Sequence, residues 1–416
     1  MKVFNLEKIL IFLVMAGQFL FQGVYIPGMD FAPAYLLVLI LAVVVFIVKK
    51  MFSLKGTMNY NGFGILFALL FADILFVCLI NDKMDYGRLM LIFFSFLFFW
   101  LCKDNAESEK EVRFLYYSYI FIMIISSLVA IGQSMNIEFC ITWWQNTHAD
   151  DKIVGALEES RMIGMAADTL AFGYQASTAF IITLFVGFKK FKIMKIPLLA
   201  LFGYALIINE TRSAWIAVIL AVVIYLLNMP NVKSKILRDY ARFFGVLIIV
   251  FALLFFTMSE FNVFEGTRME KDDSSTTARF AMIWTAFNHA IHYPLGMGAY
   301  SVQNDLVVGA NPAEYSYVVK NTAHNLLGNC VASYGFIGLF LMLMIYLKSY
   351  KSYKIISKNH VYYAEYLPAF VCLITLALNA FFHNSYILNG EFSSYVFFGI
   401  LAAGVSKAEE YKEEIK

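Results

Sequence analysis

A chain of 416 residues that is 61% hydrophobic and 15% charged, with 42 Phe and a mean hydropathy of +0.69, carries too few polar side chains to cover a water-soluble fold. It is expected to be an integral membrane protein. The formal net charge of +2 is spread over short loops rather than gathered on one face, which sets nucleic-acid binding aside.

Taken in chain order, hydrophobic stretches fall near 9–25, 31–48, 63–80, 88–102, 114–134, 166–188, 193–209, 212–227, 242–259, 325–347, 364–384 and 391–405. They predict an all-α membrane protein of about twelve transmembrane helices in one polytopic domain, 1–416. Several stretches are shorter than the roughly 20 residues that cross hydrocarbon, so their ends must extend into flanking polar residues or the bilayer must thin. Lys2 and Lys8 precede the first stretch and no small-residue cleavage site follows it, so it is expected to be an uncleaved span.

Threaded this way, the two basic residue types sort to opposite sides. Lys49, Lys50 and Lys55 follow span two, Lys189, Lys190, Lys192 and Lys195 span six, Lys233, Lys235, Arg238 and Arg242 span eight, and Lys348, Lys351, Lys354 and Lys358 span ten. Lysine excess marks the cytoplasmic side, so both termini are expected there. The loop at 103–113 is the exception, because Asp and Glu outnumber Lys103, Lys110 and Arg113. Arg88, Arg161, Arg212, Arg268 and Arg279 fall on the other side and need a different explanation.

Two external segments are too long for simple turns: 135–165, and 260–324, the largest polar stretch. Within the second, Phe280, Ile283, Trp284, Phe287 and Ile291 recur at helical spacing opposite Thr285, Asn288 and His289. That pattern predicts an interfacial helix anchored by Trp284 and broken by Pro294, Gly296 and Gly298. Trp143-Trp144 in the first segment is best explained as an aromatic belt pair. The five cysteines form no C-x-x-C and have no histidine beside them, so they are expected to pack rather than bind metal. No internal repeat is visible.

Three residues carry the chemistry expected of the site. Arg212 lies in Asn209-Glu210-Thr211-Arg212-Ser213-Ala214-Trp215, the tight external link between spans seven and eight. Glu210 could simply pair with it, yet so short a link leaves no slack for a merely topogenic charge. Arg279 opens the interfacial helix, where free N–H groups and the helix dipole favour an anion; an ordinary solvated arginine is the alternative. His324, in Thr322-Ala323-His324-Asn325, sits where the large loop re-enters the bilayer, and an imidazole with an ordinary pKa of about 6.5 suits a general base. Asp73 in span three, Asp168 at the outer end of span six, and His383 at that of span eleven are candidates for lining the same cavity.

Two arginines and a histidine suit transfer from a lipid-linked pyrophosphate. Departure of pyrophosphate from an anomeric carbon passes through an oxocarbenium-like state, fixed cations stabilise the charge left on phosphate oxygens, and the acceptor hydroxyl needs only a base. No external loop contains Asp-x-Asp, so neither metal nor cofactor is expected.

The run Thr211-Arg212-Ser213-Ala214-Trp215-Ile216-Ala217, Ala278-Arg279-Phe280 through Trp284 and Pro294-Leu295-Gly296-Met297-Gly298, and Ala323-His324-Asn325 leading to Tyr334-Gly335-Phe336-Ile337-Gly338, resemble the O-antigen ligase and polymerase superfamily of bacterial inner-membrane glycan transferases. Arg161 with Gly164 is similar to that family's arginine-glycine start to the sixth span. The resemblance implies a GT-C-like fold with a large external loop between spans nine and ten, in the bacterial cytoplasmic membrane. It implies an undecaprenyl-pyrophosphate-linked oligosaccharide as donor, and also as acceptor in a polymerase, with Arg212 and Arg279 on the pyrophosphate and His324 as base. Arg161 and Asn325 join the cavity-lining candidates, and a chain-length regulator and a flippase are the implied partners. Ligases of the family carry a glutamate soon after His-Asn, whereas this chain has Leu326-Leu327-Gly328-Asn329, which favours a polymerase of O-antigen, capsule or exopolysaccharide over a ligase acting on lipid A-core. A twelve-span transporter or lipid-linked glycan flippase is the alternative of a different class, but such proteins show related halves that are not visible here.

Overall fold

The computed structural model describes residues 6–21, 24, 26, 33–52, 62–82, 84, 86–147, 157, 160–186, 192–228, 283, 286–298, 325–358, 364–381, 387–388 and 392–414. Among them the chain is helical, with no β-strand. The helices are α1 (Leu6–Leu20), α2 (Tyr35–Phe52), α3 (Gly62–Ile80), α4 (Tyr86–Asp104), α5 (Glu109–Ser134), α6 (Glu138–Thr147), α7 (Thr169–Phe185), α8 (Lys195–Asn209), α9 (Arg212–Asn228), α10 (Leu326–Lys358), α11 (Leu367–Phe381) and α12 (Phe392–Glu414). They do not map one to one on the expected spans. The ten-residue α6 lies inside the external segment 135–165, and the ninth span, 242–259, falls outside the described residues.

Among the described residues five helices, α2, α3, α4, α5 and α10, are long and apolar enough to cross a membrane. The apolar helices α7, α8, α9 and α11 are shorter. At 1.5 Å per residue a helix of 15 to 17 residues reaches only about 22–26 Å, so flanking residues or local thinning must cover the rest of a ~30 Å hydrocarbon layer. Helix α2 shows why the solvent is lipid. Leu36, Leu39, Val43 and Phe46 are buried, while Leu37, Leu41, Val44 and Val48 form an exposed stripe at helical spacing. Both faces are apolar, as a helix between a protein core and hydrocarbon requires.

The core is aromatic where α3, α4 and α12 meet. Phe67 stacks on Phe96 with ring centroids 5.1 Å apart and meets Tyr395 and Phe398 edge-on at 5.4 and 5.3 Å. Such offset and edge contacts add to area burial. A second bundle joins α7, α8, α9 and α11, tied by Asn379 Nδ2 donating to Ser177 Oγ at 3.1 Å.

Polar contacts between helix ends sort into two sets, one at each end of the helices. At the lysine end, Lys8 pairs with Glu111 at 3.0 Å, Lys49 with the buried Glu7 at 2.6 Å, Lys50 with Asp104, and Arg113 with Glu365. Glu111 also closes a capping box with Ser108 at the start of α5, and Tyr366 donates to the Ala106 carbonyl at 3.0 Å. These contacts account for the acidic exception at 103–113. Its carboxylates Asp104 and Glu111 are matched by lysines from other segments of the same end.

Candidate functional site

At the opposite end, the short link between α8 and α9 is built to hold one geometry. Glu210 takes a left-handed conformation (φ 56°, ψ 22°) that ends α8, and α9 begins at Arg212 two residues later. The segment before α7 clasps this link. Arg161 Nε donates to the Asn209 carbonyl at 3.3 Å, and a terminal guanidinium nitrogen donates to Thr211 Oγ1 at 3.0 Å. In return, Asn209 Nδ2 donates to the carbonyls of Met162 and Thr169 at 2.8 and 2.7 Å, and Met162 N donates to the Ile208 carbonyl at 3.1 Å. Asn209 and Thr211 are buried, so these bonds are shielded from water and costly to lose.

The Arg161 segment is itself anchored to α5 and α6. Gln133 Oε1 accepts from Ile163 N and Gly164 N at 3.2 and 2.9 Å, while its Nε2 donates to the Gly164 carbonyl at 2.9 Å. Ser126 Oγ accepts from Met165 N at 3.0 Å. Trp144 Nε1 donates to the Ala166 carbonyl at 2.9 Å. This corrects the reading of Trp143-Trp144 as a belt pair: Trp143 is 39% exposed, whereas Trp144 is fully buried because its ring and N–H hold the loop in place.

A second piece of the site lies where α10 begins. Asn325 Oδ1 accepts from Leu327 N and Gly328 N at 2.9 and 3.0 Å, capping the helix, and its Nδ2 donates to the Phe381 carbonyl at the end of α11. Deeper in α10, Gly335 breaks the helix with φ 65° and ψ −166°. The carbonyls of Ala332 and Ser333 are thereby released to accept from Met297 N at 3.3 Å and Gly298 N at 2.9 Å, while Phe336 N donates to the Pro294 carbonyl at 3.0 Å. The predicted helix break at Pro294, Gly296 and Gly298 is thus a backbone ladder laid against α10. Residues 286–292 before it are helical, as expected of the interfacial helix. His289 is buried, with Nε2 2.9 Å from Met297 Sδ.

The remaining candidates divide. Asp168 accepts from Ala171 N at 2.7 Å and caps α7, so its carboxylate serves the helix start. Asp73 is half-buried on α3 with Oδ2 against α10; a β-carbon on Gly338 would lie 2.9 Å from that oxygen. Arg88 donates to the Leu388 carbonyl at 3.4 Å. Arg212 is partly exposed at the first position of α9. Arg279, His324, His383, Arg268 and Trp284 lie outside the described residues. The structure brings Arg161 onto the Arg212 link and sets Asn325, next to His324, beside the end of α11 that leads to His383. Gln133 and Ser126 escaped the sequence reading, and the bracing roles of Trp144, Asn209 and Thr211 were not foreseen. The capping role of Asp168 was signalled by an Asp directly before an apolar helical run.

These features define a polytopic helical membrane protein in which hydrogen-bonded polar side chains brace the links between helices. Residues 197–343 match the family model described as O-antigen ligase, a stretch running from α8 through the break in α10. The match supports placing the chain in the O-antigen ligase/polymerase superfamily, with ligase- or polymerase-type activity in general. No curated protein matches the chain.

Proposed function

We propose that this protein is a bacterial inner-membrane polysaccharide polymerase that transfers an undecaprenyl-pyrophosphate-linked glycan onto another lipid-linked repeat unit. The observation that carries the reading is that the matched segment holds the immobilised Arg212 link at the same end as the capped start of α10, directly after His324. In this mechanism Arg212 and Arg279 grip the pyrophosphate. An imidazole nitrogen of His324 takes the proton of the acceptor hydroxyl as its oxygen bonds the anomeric carbon, and the anomeric carbon–oxygen bond to pyrophosphate breaks. Undecaprenyl pyrophosphate leaves, its charge held by the two guanidinium groups. The lysine end is the cytoplasmic one, both termini lie there, and the site faces the periplasm or exterior. Partners in this scheme are a flippase that delivers the repeat unit and a chain-length regulator.

The family description favours a second reading, a ligase that moves finished glycan to lipid A-core. Gel profiles of cell-envelope glycan separate the two. Deleting a polymerase leaves single repeat units on the lipid core, and deleting a ligase removes those too. Arg212→Ala, Arg279→Ala and His324→Ala should each abolish long chains while the protein still inserts. Full-length polymer from His324→Ala would remove the general base from the scheme, and translocation by purified protein in liposomes with no chain lengthening would replace transfer by transport.

A further inference from the structure

We propose that Arg161 is a positioning residue for Arg212, acting through the α8–α9 link and not as a further cation on the ligand; this rests on the reading of Arg212 as a pyrophosphate ligand. The two acceptors on which Arg161 is forked, the Asn209 carbonyl and Thr211 Oγ1, flank Glu210, whose left-handed backbone sets the direction in which α9 departs. The Asn209 carbonyl belongs to the last turn of α8, where carbonyls lack partners within the helix and a cation is favoured. A guanidinium bridges a carbonyl and a hydroxyl in one plane, which an ammonium does not reproduce.

The bonds run in both directions. Arg161 holds the link, while Asn209 and Ile208 hold the backbone of Met162 and Thr169. Gln133 and Ser126 fix the backbone at 163–165, so hydrogen bonds on either side of the short stretch 161–163 connect α5 to the residue preceding Arg212. Such bracing removes freedom from a cation that must meet two phosphate oxygens at once. Misplacement by about 1 Å can reduce rate up to ~100-fold.

The test uses the full chain in proteoliposomes with a cysteine reporter, Glu210→Cys, read only by its alkylation rate with a hydrophilic maleimide. Cys140→Ala is included because the other four cysteines are buried. Arg161→Ala and Thr211→Val should each speed alkylation several-fold. Without the reporter, each should slow chain extension by about ten- to hundredfold, Arg161→Lys should recover only part of the rate, and, because Thr211 Oγ1 also donates to the Thr169 carbonyl at 3.4 Å, the double variant should fall slightly below Arg161→Ala yet well short of the product of the two losses. Should Arg161→Ala fail to insert, Thr211→Val, the smaller change, carries the same comparison. Unchanged alkylation in the variants, or losses that multiply in the double variant, would overturn the positioning role. Normal capture of undecaprenyl pyrophosphate by Arg212→Ala, with the alkylation effect intact, would instead sink the pyrophosphate reading and leave the brace standing.

Discussion

Arg212 occupies a position that a lysine could fill by charge but not by shape. It starts α9 one residue after a buried, hydrogen-bonded threonine, so its backbone has little room to adjust. A planar fork meets two phosphate oxygens at once, and an ammonium meets them as a point charge. Arg212→Lys should therefore lose one charge-assisted hydrogen bond, and chain extension by purified enzyme should fall roughly ten- to hundredfold. Equal rates would show that only the charge matters. His324→Ala should cost about 10²- to 10⁴-fold, the usual contribution of a positioned base. The arginine was legible because Thr-Arg-Ser-Ala-Trp interrupts two apolar runs with a charge that has nowhere to go. Gln133 and Ser126 were not, since a polar residue inside an apolar helix shows no sign of which distant backbone it will satisfy.

Among the helices, α10 shows best what a linear pattern can and cannot reveal. Its apolar run identified a span, and Tyr334-Gly335-Phe336 with Pro294-Leu295-Gly296 stood out as motifs, but their mutual contact bridges about forty residues and leaves no periodic trace. Gly335 is obligatory on two grounds. Its φ and ψ lie where a side chain is strained, and a β-carbon there would sit 2.2 Å from the Pro294 carbonyl oxygen. Gly335→Ala should destabilise the detergent-solubilised protein by about 2–6 kcal/mol, seen as a lowered thermal midpoint. An unchanged midpoint would mean that the ladder against α10 is not formed. Helix α6 teaches a similar lesson: two adjacent tryptophans in an external segment suggested a belt, but adjacent residues on a helix point about 100° apart, and only Trp143 reaches outward.

For the whole molecule, the sorting of Lys from Arg was plain in the sequence, whereas the pairing that neutralises the acidic turn between α4 and α5 was not, because Lys8 and Lys50 are remote in the chain from the carboxylates they meet. If the lysine end is cytoplasmic, a fluorescent protein fused after residue 416 should fold and glow, and alkaline phosphatase inserted at the α8–α9 link should be active; the reverse result would invert the topology. The span count was legible only as a run of apolar stretches, since helices of 15 to 17 residues leave the crossing to their flanks. Gly298 is bonded at Ser333 and Asn325 caps the same helix, so both feet of the 299–324 excursion stand on one rod, about 12 Å apart at 1.5 Å per residue. Both ends of that segment are therefore set by one helix, so a change that tilts α10 carries the two together, and with them the residue next to Asn325.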